Sequence, residues 1–162
     1  MLFIIFISFI ILQRILELLI SGRNEIWLRS KGAVEYGQGH YPFIILLHVS
    51  FLVSLVIEYV FRNQPPLHIL YILIYLILIL AKTWLVSSLG KYWNTKIFRI
   101  CGNLPVKKGP YKYFKHPNYF IVVCEIIVIP MIFDLYYTAC LFTVLNAAIL
   151  TVRIREENRV WA

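Results

Sequence analysis

The chain has 162 residues, of which 60% are hydrophobic and 15% charged, with a net charge of +8. A soluble domain is typically about 45–50% apolar; with a mean hydropathy of +0.76, this chain would overfill a single soluble core, which excludes that class. The positive charge would point to nucleic acid if it covered a soluble surface, but it falls between apolar runs long enough to span a bilayer.

In chain order, five stretches read as membrane helices, at residues 2–20, 42–61, 67–89, 119–133 and 135–152. The first opens on the uncharged MLFIIF. That start fits an N-terminus outside the cytoplasm and lacks the positive region of a cleaved signal peptide. Within it, Gln13, Glu17 and Ser21 recur every four residues on one face, and Asn24 extends the stripe. Two readings stand: a packing seam with Arg14 and Glu17 paired at i,i+3, or the lining of a site. The third stretch holds Lys82 about two turns from its basic end, where a lysine is expected to snorkel.

The fourth stretch is short for a full span. Pro130 near its end is a candidate kink, and a tight turn at Asp134 predicts a helical hairpin with the fifth. Glu125 shares a face with Asn118 and reads as a structural acceptor or part of a pocket wall. The fifth stretch ends in Asn146, Arg153, Glu156 and Glu157. The plain reading of that end is a charged helix terminus with an Arg153–Glu157 pair at i,i+4.

Lysines and arginines sort by loop. Segment 21–41, segment 90–118 and the tail after 152 hold thirteen, whereas the link 62–66 and the turn at 134 hold one, Arg62. The positive-inside rule places the three rich segments, and so the C-terminus, in the cytoplasm. There they would lie against anionic lipid heads. The expected architecture is all-α: one domain over 1–162, an integral bundle of about five transmembrane helices. Cys101, Cys124 and Cys140 show no paired spacing, and His40, His48, His68 and His116 no metal-binding pattern, so no bound metal is expected.

One loop carries more specific information. In GPYKYFKHPNY, residues 109–119, Gly109-Pro110 and His116-Pro117 are turn signals framing an aromatic, basic stretch. Each proline disfavours the α conformation before it, so His116 is expected on a bend as the chain re-enters the membrane. The helix start that follows offers free N–H groups to an anion. An ordinary aromatic-belt loop is the plainer reading.

This loop, followed by a helical hairpin and a terminal RIREE, resembles the isoprenylcysteine carboxyl methyltransferase family. The upstream residues Gln13-Arg14, Glu17, Ser21, Arg23-Asn24-Glu25, the run from Gly32 to Pro42, Trp93-Asn94, Glu125 and Asn146 resemble its short bacterial members. Two departures stand out. Lys115 occupies a position where most relatives have arginine, and Phe120 follows Tyr119 where many have glycine.

The resemblance implies a bacterial membrane enzyme that uses S-adenosylmethionine to O-methylate a lipophilic acceptor. The acceptor would be an isoprenylcysteine-like carboxylate or an alkylpyrone-like acidic hydroxyl. Val106, Tyr111, His116, Pro117, Tyr119 and Glu157 would bind the cofactor, with Arg153 and Glu156 at the reacting end. The assignment between Glu156 and Glu157 is left open. A lipophilic acceptor and the bilayer are the expected partners, and nucleic acid is not. Two alternatives are an NADPH-dependent reductase of the sterol-reductase type and a non-enzymatic assembly or transport subunit.

Overall fold

In the computed structural model, which describes residues 1–63 and 65–161, helices take up most of the chain. Position 64 of the 62–66 link and position 162 of the tail lie outside the described residues. The elements are α1 (Leu2–Ser30), β1 (Ala33–Tyr36), α2 (Tyr41–Phe61), α3 (Ile69–Leu89), β2 (Ile97–Ile100), α4 (Pro117–Met131) and α5 (Tyr136–Trp161). Short 3₁₀ turns at Gly90–Tyr92 and Gly109–Lys112 punctuate the long loop. The fold is an all-α membrane bundle. Four of its helices are long and apolar enough to cross a bilayer, and α4 is shorter.

Two helices outrun the apolar stretches that announce them. α1 continues to Ser30 and α5 to Trp161, past where charged residues begin. Hydropathy ends at the edge of the slab, but the helix persists because its far turns find new partners. Arg29 bonds Glu25 at 2.7 Å. Arg99 donates to the carbonyl of Val160 and lies over the Trp161 ring, closing the C-terminal end of α5.

The antiparallel ribbon, with Ala33 opposite Ile100 and Tyr36 opposite Ile97, ties segments 21–41 and 90–118 together at one end of the bundle. Arg99 brings the end of α5 to the same place. At the opposite end, the His68 N–H donates to the Ile132 carbonyl at 2.9 Å, and the His68 ring lies 2.9 Å from Asp134. Asp134, at φ +53°, forms the left-handed turn that folds α5 back on α4. The basic segments therefore share one end of the molecule, and Arg62 stands at the other.

Glu58, buried on α2, accepts the backbone N–H groups of Tyr137 and Thr138 at 3.1 and 2.7 Å. It caps the start of α5 with a negative charge, where the helix dipole favours one. Aromatic packing fills this end, with Phe3 stacked on Tyr59 at 3.7 Å and edge-on to Phe133.

The middle of the bundle corrects the reading of Lys82. It does not snorkel: it is 4% exposed. Its Nζ lies 2.8 Å from Glu17 and 2.9 Å from Glu125. Arg14 completes the square, 2.9 Å from Glu17 and 2.7 Å from Glu125. Two cations and two anions from α1, α3 and α4 thus neutralise one another where an isolated charge is expensive. The α1 stripe divides by depth. Gln13 joins this cluster by donating to Glu17 and accepting from Tyr75. Ser21 and Asn24 instead hold the loop around Trp93, Asn94 and Thr95.

Candidate functional site

The basic end of the bundle contains a cleft of about 480 Å³ between β2, the loop 103–116 and the adjoining ends of α4 and α5. Its floor is a relay of side chains. Arg153 donates through Nε to the Tyr119 hydroxyl at 2.8 Å and through Nη2 to the Thr95 carbonyl at 2.6 Å. The Tyr119 hydroxyl donates in turn to Glu157. His116 stacks on Tyr119 with ring centroids 5.3 Å apart, and its Nδ1 is 3.4 Å from Glu157. Burial and the negative charge of Glu157 push the Tyr111 phenol up to about 12.

The local sequence explains this geometry. Gly109 takes φ +52°, and any Cβ there would collide with the Ser88 hydroxyl at the end of α3. Glycine thus lets the Gly109–Lys112 turn press against α3 and carry Tyr111 into the cleft. Pro117 opens α4 at a position that needs no N–H donor. His116, at the cap, leaves Nε2 buried without a hydrogen-bond partner among the described residues, as does Oδ1 of Asn118. Both residues line the cleft. Buried polar atoms are normally paired, so these two are suited to a polar ligand.

A second cavity of about 210 Å³ lies deeper, among α1, α2, α4 and α5. Its walls include Ile44, Leu52, Val122 and Ile149, with Arg14, Glu17 and Lys82 of the charge square at one side. Trp93, Asn118, Tyr119 and Arg153 line both cavities. The polar and apolar spaces therefore meet at the relay.

Most of the sequence-predicted residues converge. Val106, Tyr111, His116, Tyr119, Arg153 and Glu157 all line the polar cleft. Pro117 is buried at the helix start, outside the lining. Glu156 also lies outside the lining and pairs with Arg159 at 3.0 Å. One residue along a helix is a turn of about 100°, which carries Glu156 off the face shared by Arg153 and Glu157. Nor do Arg153 and Glu157 form the direct pair their spacing suggests, since Tyr119 stands between them.

Sequence reasoning named Asn118 and His48 without giving either a site role, and did not single out Thr95. Asn118 sat in plain view inside the His-Pro-Asn-Tyr run. His48 is a titratable group inside an apolar span, the signal that singled out Glu125. Thr95 meets Arg153 through its backbone carbonyl, which no residue type announces, while its hydroxyl bonds Ser21 and Tyr41.

The family model for the isoprenylcysteine carboxyl methyltransferase (ICMT) family matches residues 70–162. This chain belongs to that family. The match takes in α3 to α5 and every member of the relay. Its relatives include the uncharacterized protein YpbQ of Bacillus subtilis (strain 168), 43% identical over 94% of this chain and 92% of its own length. An uncharacterized protein of Haemophilus influenzae is 32% identical over 90% of this chain and 86% of its own length. No solved structure matches. The family is one of integral membrane methyltransferases, and the apolar helices place this member in a membrane.

Proposed function

We propose that the protein is an S-adenosylmethionine-dependent O-methyltransferase that modifies a carboxylate or acidic hydroxyl of a lipophilic small molecule, isoprenylcysteine-like or alkylpyrone-like. The observation that carries this reading is the junction of a polar cleft with an apolar cavity at Asn118, Tyr119 and Arg153. A cofactor rich in polar groups and an acceptor rich in carbon need such a meeting point.

The cleft suits the cofactor. Its volume of about 480 Å³ falls in the usual range for ligand sites, about 300–1,000 Å³. His116 Nε2 and Asn118 Oδ1 are polar atoms in want of partners. Glu157 would face the amine or a hydroxyl, and Tyr92, Tyr111 and Trp161 offer aromatic surface to a base. When bound, the cofactor supplies an electrophilic methyl on a sulfonium and departs as a neutral thioether.

The protein's own contribution is alignment. Arg153, held by Thr95 and Tyr119, presents a cation at the junction and would orient an anionic acceptor oxygen. An acceptor already ionised at neutral pH has no proton to lose, so no general base is required. Fixing two reactants in near-attack geometry contributes up to about 7–11 kcal/mol. α4 is six residues shorter than α3. At about 1.5 Å per residue, its start lies roughly 9 Å short of the end of α3. The junction would then be sunk toward the slab, within reach of an acceptor arriving from lipid. The cleft would open to the cytoplasm, the side to which the basic segments assign it.

The test is a thermal-shift titration of purified protein with S-adenosylhomocysteine and, separately, with NADPH. S-adenosylhomocysteine should stabilise the parent, and His116→Ala should abolish that shift while still inserting. Stabilisation by NADPH alone would move the chain to the reductase reading.

A further inference from the structure

The apolar cavity is not uniformly apolar. Tyr41 and Arg153 of its wall, with Ser21 outside the lining, form one tier, all bonded to Thr95: Ser21 at 2.8 Å, Tyr41 at 3.1 Å and Arg153 at 2.6 Å. Seven residues further into the bundle along each helix lie Arg14 on α1, His48 on α2 and Asn146 on α5. Seven residues are about two turns, roughly 10 Å. All three line the cavity, so a second polar tier lies beneath the junction.

Arg14 is engaged in the charge square. The other two are not. Asn146 is 3% exposed and lines the cavity, outside the charge square. His48 bonds through Nδ1 to the Ile44 carbonyl at 2.8 Å. A carbonyl only accepts, so Nδ1 carries the proton, and in the neutral ring Nε2 holds a lone pair. Among the described residues the ring's hydrogen bond is the one through Nδ1. Side chains lean toward the N-terminus of their helix; for α2 that is the Tyr41 end, so the imidazole reaches up toward the junction.

We propose that His48 determines acceptor specificity. Its Nε2 accepts a hydrogen bond from a second hydroxyl of the lipophilic acceptor, and the Asn146 carboxamide bonds the same end of the molecule. The acceptor is then a hydroxylated lipophile with two polar groups on its head, which narrows the proposed function to its acidic-hydroxyl arm and excludes the isoprenylcysteine-like one. Only the naming of the occupant as methyl acceptor rests on the methyltransferase reading; the recognition itself is a binding claim. An apolar wall discriminates weakly against a missing hydroxyl, but a site built to bond that hydroxyl rejects the analogue lacking it, because its polar atoms are left unpaired.

The test compares two probes with the same tail, 5-pentadecylresorcinol with two ring hydroxyls and 3-pentadecylphenol with one. Binding to the purified full-length protein in detergent is followed by tryptophan fluorescence, since Trp93 lines the cavity. The parent should bind the dihydroxy probe at least about fivefold more tightly. His48→Leu should erase that preference and His48→Gln, which keeps an acceptor, should retain part of it. S-adenosylhomocysteine affinity should stay unchanged in both. If His48→Leu does not fold, Asn146→Leu and His48→Gln carry the comparison, each expected to reduce the preference. Equal binding of the two probes by the parent, binding of neither, or an intact preference in the variants would overturn the proposal. Failure of the parent to bind S-adenosylhomocysteine would sink the methyltransferase reading and leave the probe preference to stand or fall by itself.

Discussion

Tyr119 receives a hydrogen bond from a cation and gives one to an anion, so it holds Arg153 and Glu157 apart in fixed register. Hydrogen bonds to charged groups contribute about 1.5–3 kcal/mol each. Tyr119→Phe releases Glu157, the carboxylate proposed to face the cofactor, from its hydrogen bond and should weaken S-adenosylhomocysteine binding about tenfold in a titration. The tail divides by face. Glu157→Gln should weaken cofactor binding, and Glu156→Gln should leave it within about twofold. Arg153→Ala should spare binding and lower single-turnover methyl transfer, because it removes an interaction with the reacting acceptor. The sequence pointed to one turn of helix, Arg153 to Glu157, and two of the three charged residues singled out there line the cleft. It could not choose between the glutamates without the direction in which α5 faces α4. Nor could it reveal that the Arg153–Glu157 spacing is bridged by a tyrosine from another helix.

At the scale of elements, the charge square is the main joint between α1, α3 and α4. Glu125→Ala leaves Arg14 and Lys82 competing for Glu17 in a buried setting. Breaking such a pair by removing one partner costs about 3–5 kcal/mol, to be read as a lower unfolding midpoint in mixed micelles. Replacing Lys82 and Glu125 together by Met and Leu should restore much of that loss, because no charge is then left alone on that side. The apolar stretches and the hairpin at Asp134 were legible because hydropathy and turn chemistry are local. The pairing of Lys82 was not, because its partners lie on two other helices. The same applies to the ribbon: AVEY and IFRI are four residues each, too short to announce a strand, and they pair across more than sixty residues of chain. The apolar spans end short of α1 and α5 in the same direction; the polar periodicity reached Asn24 and Glu157, and partners in the loops sustain the turns beyond.

For the whole molecule, the arrangement of charge and the arrangement of cavities agree. The three basic segments gather at the end that holds the polar cleft, and the apolar cavity extends from it into the bundle. Reporter fusions after Arg62 and after Ala162 should therefore report opposite sides, with the C-terminal one in the cytoplasm. The same side for both would contradict the topology. The central claim is methyl transfer to a lipophilic acceptor. It is tested most directly by incubating the purified protein in detergent with methyl-labelled S-adenosylmethionine and a bacterial lipid extract, then following label into the organic phase. The parent should transfer label to an extractable product. Arg153→Ala, which should still bind S-adenosylhomocysteine, should transfer far less. An organic phase without label from a parent shown to bind the cofactor analogue, or equal labelling by the parent and Arg153→Ala, would contradict the account.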